Sequence, residues 1–147
     1  MKRREAILLL VLVPAAIIYA IVDHSPLPPS ADAQEPVAIA CLKRAGFNVK
    51  SDVYSGGSLP SNGSQVQYKM DVEDESGALV AIIYLADLPG DVDLFADHLK
   101  DDQKTYGDYK GETIEQRGTA VIRLARGSSH AAAIPACMDR AAKAKET

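Results

Sequence analysis

The side chains able to do chemistry in this chain are few and scattered. Cys41 and Cys137 are its two cysteines. They lie near opposite ends of the stretch 35–147. An even count in an exported chain reads as a disulfide, and this one would tie a first helix to a last. A redox-active role is not expected, because Cys-x-x-Cys is absent. Two cysteines without nearby histidines do not make a zinc site.

The acidic residues are more numerous. Asp91, Asp93, Asp97, Asp101 and Asp102 crowd one helical segment. Calcium needs about six to eight oxygens converging, usually from a loop. Helical spacing spreads these carboxylates along and around a helix, and Lys100 and Lys104 are interspersed. They read as a solvated face, with Asp91 and Asp93 favoured by the positive helix N-terminus. Asp71 and Glu73 fall on one face of a strand and are the best pair for acid–base work. That is also the polar side of an amphipathic strand. His24, His98 and His130 have no ligand-spaced partner. The loop from Ser55 to Ser64 is rich in Gly and Ser but lacks both the Walker A lysine and the dinucleotide spacing. Its length makes it the best candidate recognition loop, and Asn62-Gly63-Ser64 matches the N-glycosylation pattern. Neither Gly-x-Ser-x-Gly nor a usable Ser-x-x-Lys is present. Tyr68, Tyr106 and Tyr109 read as core edge. The expectation is therefore no catalytic residue, no metal and no cofactor.

The elements that must position these groups follow from periodicity. Glu35-Pro36 opens a helix. Val37, Ala38, Cys41, Leu42 and Ala45 share one of its faces, and Gly46 caps its end. Phe47 to Tyr54 reads as a strand with imperfect alternation. Gln65 to Asp74 alternates clearly, with Val66, Tyr68, Met70 and Val72 on one side. Ala78 to Ala86 is apolar on both faces and reads as a central strand. With the turn Glu75-Ser76-Gly77 it forms an antiparallel hairpin. Asp91 suits a helix N-cap. Val92, Phe95, Ala96, Leu99, Gln103 and Tyr106 then form a helical stripe, with Leu94 opposite. A second hairpin turns at Arg117-Gly118. Pro135 starts or kinks a last helix running to about Lys145. The order predicts an α+β fold: a mainly antiparallel sheet of about five strands, with helices packed on one face.

Ahead of this domain stand Lys2-Arg3-Arg4 and a chargeless apolar run, Ala6 to Val22. As a helix that run covers about 25 Å, at the short end of a membrane span. Residues 1–22 thus read as an N-terminal transmembrane anchor or signal segment. The basic tip keeps the N-terminus cytoplasmic. Residues 23–34, with Pro26, Pro28 and Pro29, read as an extended stalk. Ala31-Asp32-Ala33 also fits a signal-peptidase pattern, with cleavage before Gln34 and secretion as the alternative.

The net charge of −4 resides in 35–147, since the charges of 1–34 cancel. With no basic stripe, nucleic acid is not an expected partner. The chain is expected to be a single-pass, membrane-tethered extracytoplasmic domain, non-catalytic, that binds or scaffolds an envelope protein. The alternatives are a small-molecule or lipid carrier, and a hydrolase using acidic residues.

Overall fold

The computed structural model describes residues 27–54, 65–107, 109–127 and 132–145. The apolar run 6–22, the stalk residues 23–26, the loop 55–64, His24 and His130 lie outside the described residues. Among the described residues no helix is long and apolar enough to cross a membrane.

Three helices and five strands follow in the order α1 (Ala31–Arg44), β1 (Asn48–Val53), β2 (Tyr68–Glu73), β3 (Leu79–Leu85), α2 (Pro89–Thr105), β4 (Glu112–Arg117), β5 (Ala120–Ala125) and α3 (Ala133–Ala141). The strands form one sheet in the order β1-β2-β3-β5-β4. Every neighbouring pair is antiparallel. Both expected hairpins are present. The fold class is the α+β arrangement that the sequence predicts.

The placement of the helices is not. Met70, Val72, Ile83, Leu85, Ile122 and Leu124 meet Ala38 and Leu42 of α1, and Ile134, Cys137 and Met138 of α3, in one core. Tyr84 and Val121 pack with Val92, Phe95, Ala96 and Leu99 of α2 in a second core. Side chains alternate across a sheet, so these cores lie on opposite faces. The expectation of helices on one face is corrected: α1 and α3 cover one face, and α2 covers the other. The reason was visible in β3. A strand apolar on both sides must be covered on both sides. Val66, expected to share a face with Met70 and Val72, belongs to the α2 core. It precedes β2, so strand alternation does not bind it.

Helix α1 starts four residues earlier than Glu35. Ser30 is its N-cap, accepting from the Ala33 N–H at 3.3 Å. Pro36 therefore sits inside the helix, on an exposed position, instead of at its first turn. Residues 31–34, read as stalk, are helical, and Ala31 and Gln34 are fully buried. The far end of α1 behaves as expected. Gly46 has φ +93°, and the N–H groups of Gly46 and Phe47 donate to the carbonyls of Lys43 and Leu42. This is a Schellman cap, closed by Phe47 and Leu42 in one core.

Two details of α2 also differ. Its N-cap is Leu88, with Pro89 at the first helical position, and Asp91 lies within the first turn. Proline favours that first position because it has no N–H to leave unbonded. Tyr106, expected on the buried stripe, is 76% exposed just past the helix end.

Candidate binding cleft and charged sheet face

On the α2 side the sheet divides into two zones. Strands β3, β4 and β5 lie under α2. There Tyr54, Tyr84 and Phe95 form an aromatic cluster. Tyr54 meets Tyr84 edge-on at 5.7 Å, and Tyr84 meets Phe95 at 4.7 Å between ring centroids. Such pairs add stability beyond area burial. Tyr54, Tyr84, Phe95, His98, Leu99, Asp102 and Tyr109 line a cleft of about 200 Å³.

The chemistry of the cleft is largely spent internally. His98 Nε2 lies 3.3 Å from Asp102 Oδ2, one helical turn on. Arg123 is the one charge in the apolar strand β5, and each part of its guanidinium is engaged. Its Nε and Nη2 donate to Glu112 at 2.8 and 3.1 Å, and Nη1 donates to the Tyr84 hydroxyl at 3.3 Å. The Arg123 plane also sits 3.8 Å from the Tyr109 ring centroid. A bidentate, stacked arginine of this kind braces structure. Gln103, on the expected α2 stripe, donates to the carbonyls of Tyr109 and Glu112 and fastens the loop after α2 to β4. Burial raises the Tyr54 phenol above its ordinary 10.0, with Tyr84 adding and Lys69 opposing. Among the described residues the lining holds no Ser, Thr or Cys to serve the His98–Asp102 pair as a conventional hydroxyl or thiol nucleophile.

Beyond α2, strands β1 and β2 present a charged face. Lys50 stands opposite Asp71, and Asp52 opposite Lys69, in the β1–β2 register. Lys50 Nζ donates to Glu73 at 2.7 Å, and Lys69 Nζ lies 3.0 Å from Asp71 Oδ1. The acidic pair that the sequence offers for acid–base work is thus brought together on one face, and each carboxylate is matched to a lysine.

The remaining expected sites fall as follows. Asp93, Asp97 and Asp101 are exposed along α2, with Asp91 and Asp102 half-buried. Among the described residues no group of three or more His, Cys, Asp or Glu side chains is placed to hold a metal ion. Cys41 and Cys137 are at disulfide distance, with their Cα atoms 5.5 Å apart, and they join α1 to α3. Tyr68 donates to Asp32 across the start of α1. A second pocket, of about 350 Å³, lies where the chain enters the domain, lined by Leu27, Pro28, Pro29, Ser30, Asp87, Leu88 and Ala144.

Sequence reasoning missed Gln34 and Arg123. Gln34 Nε2 donates to Thr119 Oγ1 at 2.5 Å and to the Pro29 carbonyl at 2.6 Å, which ties α1 to the β4–β5 turn. For Arg123 a signal existed. A lone charge within AVIRLA must find a partner or leave the strand exposed. No protein family, no curated protein and no solved structure matches this chain.

Proposed function

We propose that the chain is a membrane-tethered, extracytoplasmic binding or scaffold domain without catalytic activity, held by residues 6–22 and acting on an envelope protein partner. One observation carries the tether. Cleavage before Gln34 would cut inside the first turn of α1. It would remove the Ser30 cap, the Ala31 N–H bond to Asp87 at 2.7 Å, the Asp32–Tyr68 bond and the Pro29 carbonyl that holds Gln34. It would also place a new charged amino group on a fully buried residue. A chain built to be cut there would not anchor its domain through the discarded side. These bonds favour a retained anchor over cleavage before Gln34, and on that reading the cysteine pair faces an oxidising compartment.

The non-catalytic reading is supported by pairing. Asp71, Glu73, Asp102 and Glu112 each have a basic partner. The carrier reading is less well supported, because a ligand pocket usually spans about 300–1,000 Å³. The aromatic cleft, at about 200 Å³, falls short of that range, and the pocket of about 350 Å³ that falls within it is lined by connecting residues outside the strands and helices, not by the space between sheet and helix. Intact mass of the protein from native membranes, with and without reduction and alkylation, tests the proposal. The expected result is a full-length chain with no free thiol. A mass beginning at Gln34, or two free thiols, overturns it. Partner binding is read by crosslinking in those membranes, where a single recurrent protein is expected and a random set of neighbours counts against it.

A further inference from the structure

The outer edge of β1 carries an unused pattern. The Tyr54 N–H donates to the Gln67 carbonyl at 2.8 Å. Antiparallel ladders alternate, so Asp52 and Lys50 also turn their backbone groups toward β2. Val49, Ser51 and Val53 then turn theirs outward. Among the described residues no strand pairs with that side. An open row of N–H and C=O groups is a template for another strand.

We propose that this edge binds a second copy of the chain, β1 against β1, antiparallel about Ser51. The sequence there is Val49-Lys50-Ser51-Asp52-Val53, and it complements itself when reversed. Ser51 opposes Ser51, Lys50 opposes Asp52 twice, and Val49 opposes Val53 twice. The parity agrees. Outward-facing Ser51, Val49 and Val53 form the hydrogen-bonded pairs. Lys50 and Asp52 form the non-hydrogen-bonded pairs, whose side chains approach more closely. Two further observations fit a strand at this position. Val53 is 71% exposed, and its pairing with Val49 covers it. The Ser51 hydroxyl is buried with no hydrogen-bond partner among the described residues, and the twofold axis brings it a second hydroxyl.

The charges facing this edge are Lys50, Asp52, Lys69, Asp71 and Glu73. Lys50 also reaches Glu73, and Asp52 has Lys69 across β2, so the added pairs extend an alternating charge ladder. The other edge of the sheet is less well suited. The Arg126 N–H donates to the Gly111 carbonyl, so Glu112, Ile114 and Gln116 face outward on β4. The Glu112 carbonyl already accepts from Gln103. Pairing about Ile114 sets Thr113 against Glu115 and forms no ion pair, and pairing about Gln116 sets Glu115 against Arg117, two groups that already bond each other within β4 at 2.6 Å.

A six-residue edge is a small interface. Its occupancy therefore rests on the tether proposed above, which confines copies to one membrane plane and raises their effective concentration. The test uses the full chain in phosphatidylcholine vesicles, with donor- and acceptor-labelled copies and energy transfer followed as lipid is added. Wild type is expected to associate. Lys50→Glu alone and Asp52→Lys alone should each weaken association about tenfold, since each turns two ion pairs into two like-charge pairs. Mixing the two variants should restore it. The introduced glutamate of one copy then meets the introduced lysine of the other, and the native Asp52 of the first meets the native Lys50 of the second. That rescue excludes misfolding as the cause of either loss. Wild type without energy transfer overturns the proposal. So does association that both substitutions leave unchanged, which would place the contact elsewhere, in residues 6–22 for instance. Flotation of the vesicles reports the tether separately. If the chain does not float with lipid, the tether fails, and sedimentation of the same variants in solution decides the edge.

Discussion

Gly118 shows how tightly one residue can be constrained. It stands in the β4–β5 turn at φ +58°, and a Cβ built there would meet the Ala142 Cβ, just past α3, at 2.9 Å. Gly118→Ala combines a left-handed backbone cost of about 1 kcal/mol with a comparable overlap term, roughly 2 kcal/mol in all. Denaturant melts should show that loss, and Ala142→Gly in the same chain should recover the overlap part. If the double variant recovers nothing, the turn and α3 are not in contact. Tyr54 makes a pH prediction. Burial, first, and Tyr84, second, hold its phenol above 10.0 in the folded state. As pH rises past that ordinary value the unfolded chain ionises first. Stability is therefore full below pH ~10 and is lost as pH climbs toward the folded value. Tyr54→Phe should flatten this alkaline decline in urea melts, and an unchanged slope would contradict it.

At the scale of elements, α1 is the informative case. Its first turn is held by partners far away in sequence: Asp87 for the Ala31 N–H, Tyr68 for Asp32 and Thr119 for Gln34. None of these can be read from local propensity. Pro36 alone points to a helix start at Glu35, and tertiary bonds override it. A chain beginning at Gln34 should therefore be less stable than one beginning at Leu27. The loss is about 3 kcal/mol, from the cap and the buried polar groups left unpaired. Thermal melts of the two measure it, and equal midpoints would mean that the first turn contributes nothing. Helix α2 was legible in type and in most of its stripe, because Val92, Phe95, Ala96 and Leu99 recur with helical period and are buried together. Its starting residue was not, because Asp91 and Pro89 both carry start signals and only one can take the first position.

Across the whole molecule, the chain ends of the domain are joined on one face. α1 and α3 lie side by side, and Cys41 and Cys137 meet 96 residues apart in sequence. In the chain-entropy model a link closing a loop near that length stabilises by up to about 4–5 kcal/mol. Reduction, or Cys137→Ala, should lower the melting temperature accordingly. A shift within error would show that the link does not constrain the unfolded chain. The two-sided core has a further consequence. α2 covers β3, β4 and β5 and leaves the β1–β2 half of its face charged. One end of the sheet is thereby covered by α2 on that face and braced by Arg123, and the other offers polar surface and an open edge.

Periodicity and punctuation were enough for the element types, both hairpins, the α+β class and the Schellman end of α1. Each depends on residues within a few positions of one another, where spacing alone dictates which groups share a face. The cysteine pairing was also legible, because with two cysteines one partner is possible. The choice of sheet face for α2, the early start of α1 and the Arg123–Glu112–Tyr84–Tyr109 brace were decided by tertiary structure. So was the outward parity of Val49, Ser51 and Val53. These depend on which strand lies beside which, and on polar groups meeting across tens of residues. Local chemistry permits several such arrangements, and the requirement to cover both faces of β3 selects among them.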